Sequence, residues 1–150
     1  MTQKACSVSE QGPQLGWWIH QLDHAIYQAV NRRFLAVGLT APQARVMEFL
    51  YYHEGEHVNQ RALEEQLQLS NPSVTSLIRN LVDKGLVSRH PDSSDGRSHL
   101  LRLTPEGRKV HPQVVGIFED NERQLVEGLR PEEVQAALAL VQRMKEHMER

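Results

Sequence analysis

Three groups of residues in this chain have the types and spacing to do chemistry. The first is the run His53-Glu54-Gly55-Glu56-His57, which reads as H-E-x-x-H. On a helix that spacing puts two histidines on one face to grip zinc, with the glutamate as general base. The second is the pair His20 and His24, also four apart, with His111 as a conceivable third metal ligand. The third is Cys6, a thiol with a possible role in sensing oxidants.

Whether any of these acts depends on the element that holds it. Glu54-Gly55-Glu56 falls between two helical patterns, and glycine is the usual residue past a helix end. The two histidines are therefore expected across a turn, in a solvated loop, with no metal and no weight in the fold. The extended zinc signature also asks for glycine and histidine where Gln60 and Leu63 stand. His20 and His24 have no cysteine or acid in register to complete a set. Cys6 precedes the first helical pattern, where a plain tail cysteine is the simpler reading.

The elements follow from periodicity. Leu15, Trp18, Ile19, Leu22, Ala25, Ile26, Ala29 and Val30 recur at three and four, which predicts a long amphipathic helix to about Val37. Thr40 and Pro42 open a second helix that reaches Tyr52. Asn59 caps a short third helix. After the tight connection Gln68-Leu69, Ser70 and Pro72 start a fourth. In that fourth helix Val74, Leu77, Ile78, Leu81 and Val82 form one stripe, with Asn71, Ser73, Thr75, Ser76 and Arg79 on the other side. Beyond Gly85 the period changes to alternation. Two short strands are predicted around the polar hairpin PDSSDGR. Thr104-Pro105-Glu106 restarts a helix with Pro112 inside it, and a sixth begins near Pro131.

At 150 residues the chain suits one compact domain. No run of eighteen apolar residues exists, so no membrane span is expected. The first residues lack a signal peptide's apolar stretch, and a single cysteine excludes an internal disulfide; both suggest the cytoplasm. The net charge is −2, but residues 60–109 carry 8 basic and 6 acidic side chains and are the only net-positive third. That points weakly to a phosphate-facing surface. No nucleotide loop, nucleophile pair or catalytic metal set occurs, so the chain does not read as an enzyme.

Two short helices joined by a tight turn make a helix-turn-helix, whose second helix can lie in a DNA major groove. The outward set Asn71, Ser73, Thr75, Ser76 and Arg79 suits base edges and phosphates, although any surface helix is polar outside. The hairpin adds weight to the DNA reading. Asp95-Gly96-Arg97 projects an arginine that can enter the adjacent minor groove, with Asp95 holding either backbone or guanidinium. An ordinary exposed arginine is the plain alternative.

The segments LTAPQARVMEFL and LSNPSVTSLIRNLVDKGLVSRHPDSSDGRSHLLRLTPEG carry a resemblance. With Val74-Thr75, Leu81, Lys84-Gly85-Leu86-Val87, Asp95, Arg97, Leu103-Thr104 and Gly107, the chain resembles the MarR family of winged-helix transcription regulators. Gly96 departs from the pattern, standing where an arginine is common, and Arg130 replaces the usual hydroxyl cap before Pro131. The resemblance implies a mainly α fold with a small β wing: six helices and a two- to three-stranded sheet. It implies a single domain over 1–150, with a winged helix-turn-helix lobe at about 40–107 and a helical dimerisation region at about 15–37 and 108–148.

In function, it implies a homodimer on a pseudo-palindromic double-stranded DNA operator, usually a repressor released by a small ligand or an oxidant. Long apolar stripes on the first and last helices independently call for a second copy. Trp17, Trp18, Tyr27 and Phe34 are the candidate aromatic lining for an aromatic or phenolic effector between the dimer helices and the lobe, with His20 and His24 as candidates to meet an acidic group. For Trp18, packing is the preferred reading. A metal- or oxidant-responsive regulator of the same fold, and a winged-helix module that binds protein, remain as alternatives. No cofactor is expected.

Overall fold

The computed structural model describes residues 14–150, and Cys6 lies outside them. The element order is α1 (Leu15–Leu35), α2 (Ala41–Tyr52), α3 (Gln60–Leu67), α4 (Asn71–Asp83), β1 (Val87–Pro91), β2 (His99–Leu103), α5 (Pro105–Leu125) and α6 (Pro131–Met148). This is the mainly helical winged fold expected from the sequence. The two strands pair antiparallel, from Val87 opposite Leu103 to Pro91 opposite His99. A third strand is reduced to one bond, from the Leu101 amide to the Val58 carbonyl at 2.8 Å.

Local chemistry sets most helix starts. The Thr40 hydroxyl accepts from the Gln43 amide while the Gln43 side chain accepts from the Thr40 amide, a reciprocal box that satisfies two otherwise orphaned donors. Asn59 accepts from the Ala62 amide, and Thr104 from the Gly107 amide. Ser70 differs from expectation. It occupies the N-cap position of α4, but its hydroxyl lies 3.0 Å from the Ser73 hydroxyl and makes no cap bond. The start of α6 is tied despite lacking a hydroxyl cap, because Glu133 accepts from the Arg130 amide at 2.9 Å.

The core lies where α1, α2, α4 and α5 meet the wing. Phe34, Met47, Leu63, Ile78, Leu81, Val46, Val74 and Val114 are fully buried. Phe34 meets Phe118 edge to face at 4.9 Å, which joins α1 to α5. Polar ties reinforce the same junction: Arg33 donates to Asn121 at 2.8 Å and to Gln124 at 2.7 Å. Asn31 on α1 accepts from the Ala41 amide at the start of α2.

The outer helices are less covered. Along α1, Leu15, Trp18, Ile19 and Leu22 are exposed, with Trp18 at 62%. Trp18 is therefore not a core residue of the single chain. On α6 no residue is buried, and Leu138, Leu140 and Val141 all face outward. Stripes of this length on two helices leave much apolar surface against water.

One close approach fixes how α5 meets the wing. Thr104 donates through its amide to the Leu86 carbonyl and through its hydroxyl to the Gly85 carbonyl. Gly107 then passes so near that a Cβ would stand 2.2 Å from the Leu86 oxygen. That neighbour is backbone and cannot swing away. Gly107→Ala is expected to lower stability by about 1–3 kcal/mol, the usual cost of forcing a methyl into a packed site. A urea unfolding curve with an unchanged midpoint would contradict this contact.

Candidate nucleic-acid interface

The fourth helix is built to present one face. Val74, Ile78 and Leu81 are buried at a spacing of three and four, so residues between them must turn outward. Asn71, Ser73, Ser76 and Arg79 are exposed and Thr75 is half-buried. Between α4, α3 and the wing lies a groove of about 700 Å³. Asn71 and Thr75 line it from α4, Asp95 and Arg97 from the wing turn, and Gln60 and Glu64 from α3. Four of the seven residues expected to serve DNA thus border one groove. Ser73, Ser76 and Arg79 lie outside it, on the exposed remainder of α4.

The polar set is not uniform. Glu64 accepts from the Asn71 side-chain amide at 2.7 Å and from Gln60 at 3.1 Å. Gln60 also donates to the Thr75 hydroxyl at 2.7 Å, and that hydroxyl donates to the Asn71 carbonyl at 2.9 Å. Asn71 and Thr75 are therefore held by the protein itself. Arg79 and Arg97 make no ion pair among the described residues, so their guanidinium groups are available to a phosphate or a base.

Two aspartates shape the wing turn. Of the two partners open to Asp95, the structure shows the backbone: its carboxylate accepts from the Arg97 amide at 3.0 Å. Asp92, unremarked in the sequence, has a greater part. It is 5% exposed, and one oxygen accepts from both the amide and the hydroxyl of Ser94, at 2.9 and 2.7 Å. The other oxygen lies 2.8 Å from His57 Nε2. The Ser94 hydroxyl holds the Asp92 carboxyl below its usual range, burial opposes this, and the Ser94 amide and His57 add to the lowering. A carboxylate with a depressed value contributes above the ordinary 3.8 and loses that contribution as pH falls through the folded value.

The zinc-like run resolves accordingly. His53 ends α2, with Nδ1 2.8 Å from the Phe49 carbonyl and its ring stacked on Phe49 at 4.0 Å. Gly55 then takes a φ of +86°, which glycine alone adopts without strain, and breaks the helix before His57. The expected loop is there. The expectation that both histidines lack structural weight needs correction, because His57 joins this loop to the base of the wing. Nothing local in the sequence signals that pairing, since its partner is Asp92.

The metal candidates stay apart. Among the described residues, no group of three or more His, Cys, Asp or Glu is placed to hold a metal ion. His20 and His24 are exposed on α1, whereas His111 is 4% exposed and stacked on Tyr51 at 3.7 Å. Burial pushes the His111 imidazole down, with Glu48 opposing, which favours its neutral form.

A second cleft, of about 610 Å³, opens between α1, α2 and the end of α3. Tyr27, Arg45, Glu48, Phe49, Tyr52 and His53 line it, together with Pro42 and residues 66–69. Tyr27 is the one sequence candidate in this lining. Trp17, His20 and His24 are not part of it; Trp17 packs edge to face on Trp18 at 4.7 Å.

Known proteins are similar to this chain in sequence and fold. A sequence model of the MarR family matches residues 37–98, from the end of α1 to the wing turn. The transcriptional regulator HosA of Escherichia coli (O127:H6, strain E2348/69) is 29% identical over 126 residues, covering 83% of this chain and 92% of that protein. The S. aureus MepR–DNA complex superposes with a TM-score of 0.82 at 26% identity, covering 91% of this chain and 99% of that one. Wild-type MarR from E. coli, in its apo form, gives 0.75 at 25% identity over 91% of this chain and 98% of that one.

If Asp92 organises the wing turn, Asp92→Ala should speed amide exchange at Ser94 and Arg97 by roughly tenfold or more, with His57→Ala milder. Exchange rates in that turn indistinguishable from the parent's in both variants would rule the arrangement out.

Proposed function

We propose that the chain is a transcription regulator of the MarR family, which its sequence and fold resemble, and that it works as a homodimer on a pseudo-palindromic DNA operator, as a repressor released by a small aromatic or phenolic ligand. The observation that carries the reading is the groove shared by α4 and the wing turn, with Arg97 on one side and the polar face of α4 on the other. MepR, solved as a DNA complex, is similar over 91% of this chain, which supports a DNA partner here.

The parts divide by chemistry. α4 enters a major groove, where Ser76 and Arg79 meet bases or phosphates and Asn71, Ser73 and Thr75 shape the contact surface. Asp95 sets the turn that aims Arg97 into the adjacent minor groove, where the potential is most negative. A second copy covers the exposed stripes of α1 and α6 and places two α4 helices about 34–36 Å apart, one DNA turn. In this organisation residues 40–107 form the DNA-binding lobe, and residues 15–37 and 108–148 the dimer region. The cytoplasm is where such a regulator would meet its operator.

The effector site we assign to the cleft between α1 and α2. Tyr27, Phe49 and Tyr52 offer aromatic faces, and Arg45 offers a cation to a carboxylate or phenolate. Trp17, His20 and His24 enter only if the second copy brings its own α1 across the cleft.

A duplex selected by the parent protein from a random pool tests the division of labour. Arg79→Ala should weaken binding to it and relax preference at one position per half-site, a loss of about 1–3 kcal/mol of discrimination. Arg97→Ala should weaken selected and scrambled duplexes alike and reduce the slope of log K against log salt by about one per wing. Asp95→Ala should follow Arg97→Ala more mildly, because it loosens the turn and leaves the guanidinium in place. Unchanged affinity and salt slope in Arg97→Ala and Asp95→Ala would remove the wing from the mechanism.

A further inference from the structure

Thr75 faces the groove with its polar atom already committed. Its hydroxyl proton goes to the Asn71 carbonyl one turn back, at 2.9 Å. The same oxygen accepts from Gln60 Nε2 at 2.7 Å, and Gln60 is itself held by Glu64 at 3.1 Å. A threonine in a helix divides between two χ1 rotamers, and bonding to the carbonyl four back selects one of them. The Gln60 contact, from a different helix, fixes the same choice a second time. With its proton donated and one lone pair engaged, both to protein partners, the hydroxyl is tied inward, and the γ-methyl is the part of the side chain that carries no bond to the protein.

We infer that Thr75 reads DNA through its methyl group, by contact with the 5-methyl of a thymine, while Gln60 and Glu64 act as positioning residues that keep its hydroxyl turned inward. The inference rests on the operator-binding reading above and names the base that one position of each half-site requires. A free hydroxyl at this position would accept several bases, since it can donate or accept. A methyl held outward distinguishes thymine from the other bases of the major groove by apolar contact alone. Ser76, one residue on, is exposed and makes no side-chain bond among the described residues, so it keeps the adaptable hydroxyl and the two neighbours divide apolar and polar contact between them.

Deoxyuridine, which lacks only the 5-methyl, is the direct probe. The duplex is again one selected by the parent protein from a random pool, with each thymine replaced in turn in both half-sites. At one thymine per half-site the parent should lose about fourfold in affinity, the value of one buried methyl-sized group. Thr75→Val keeps the methyl and should retain both the affinity and the deoxyuridine penalty. Thr75→Ser keeps the hydroxyl and should bind the selected duplex about as weakly as the parent binds its deoxyuridine form, with no further penalty from the substitution.

The inference is overturned if Thr75→Val loses the operator while Thr75→Ser keeps it, because the hydroxyl would then be the reader. It is also overturned if every deoxyuridine penalty is the same in parent and Thr75→Ser. A parent that selects no sequence over scrambled DNA overturns the operator reading itself, and this inference with it. Circular dichroism melts of both variants matching the parent's separate lost contact from lost fold.

Discussion

The proposed DNA-facing surface depends on α4 burying one stripe. Val74, Ile78 and Leu81 are within 1% of full burial, and each would cost several kcal/mol to truncate to alanine. A helix anchored that firmly along one line has no rotational freedom left. Its opposite face is therefore set by packing, and the short polar residues there can be aimed. The wing is aimed in the same way. Gly107 lets α5 lie against Leu86, the strands run out from Val87 and Leu103, and Asp92 closes the base of the turn that carries Arg97.

Much of this was legible in the sequence because it is local. The 3.6-residue period separated the buried and outward faces of α4, and the caps at Thr40, Asn59 and Thr104 are spelled out within four residues of each helix start. Gly55 was enough to tell a loop from a zinc-binding helix. What escaped is non-local. Thr75 and Asn71 were read as outward polar groups, yet their partners Gln60 and Glu64 sit on the preceding helix, where periodicity says nothing about pairing. His57 and Asp92 are 35 positions apart and meet only once the wing folds back. Ser70 shows the reverse error: a good cap residue found a neighbouring hydroxyl and left the backbone of α4 uncapped.

The candidate site divides into two kinds of residue. Arg79 and Arg97 are free of ion pairs among the described residues, and in the proposed complex they are the long-range attractors, with an effect that depends on ionic strength. Asn71 and Thr75 are pre-bonded and present a fixed surface, so they add shape and little charge. Both arginines belong to residues 60–109, the net-positive third of the chain. In the proposed complex that third meets the polyanion, whatever the net charge of −2.

The claim on which the rest hangs is that one operator needs two chains. The stripes of α1 and α6 leave large apolar side chains against water, which a second copy would cover, and a lone lobe would offer a single short helix to the DNA. The most direct measurement is the mass of the complex formed on a selected duplex, taken by native mass spectrometry across a range of protein-to-DNA ratios. Two chains per duplex are expected at every ratio, with the free protein already dimeric at micromolar concentration. A complex saturated by one chain, at undiminished affinity, would contradict it.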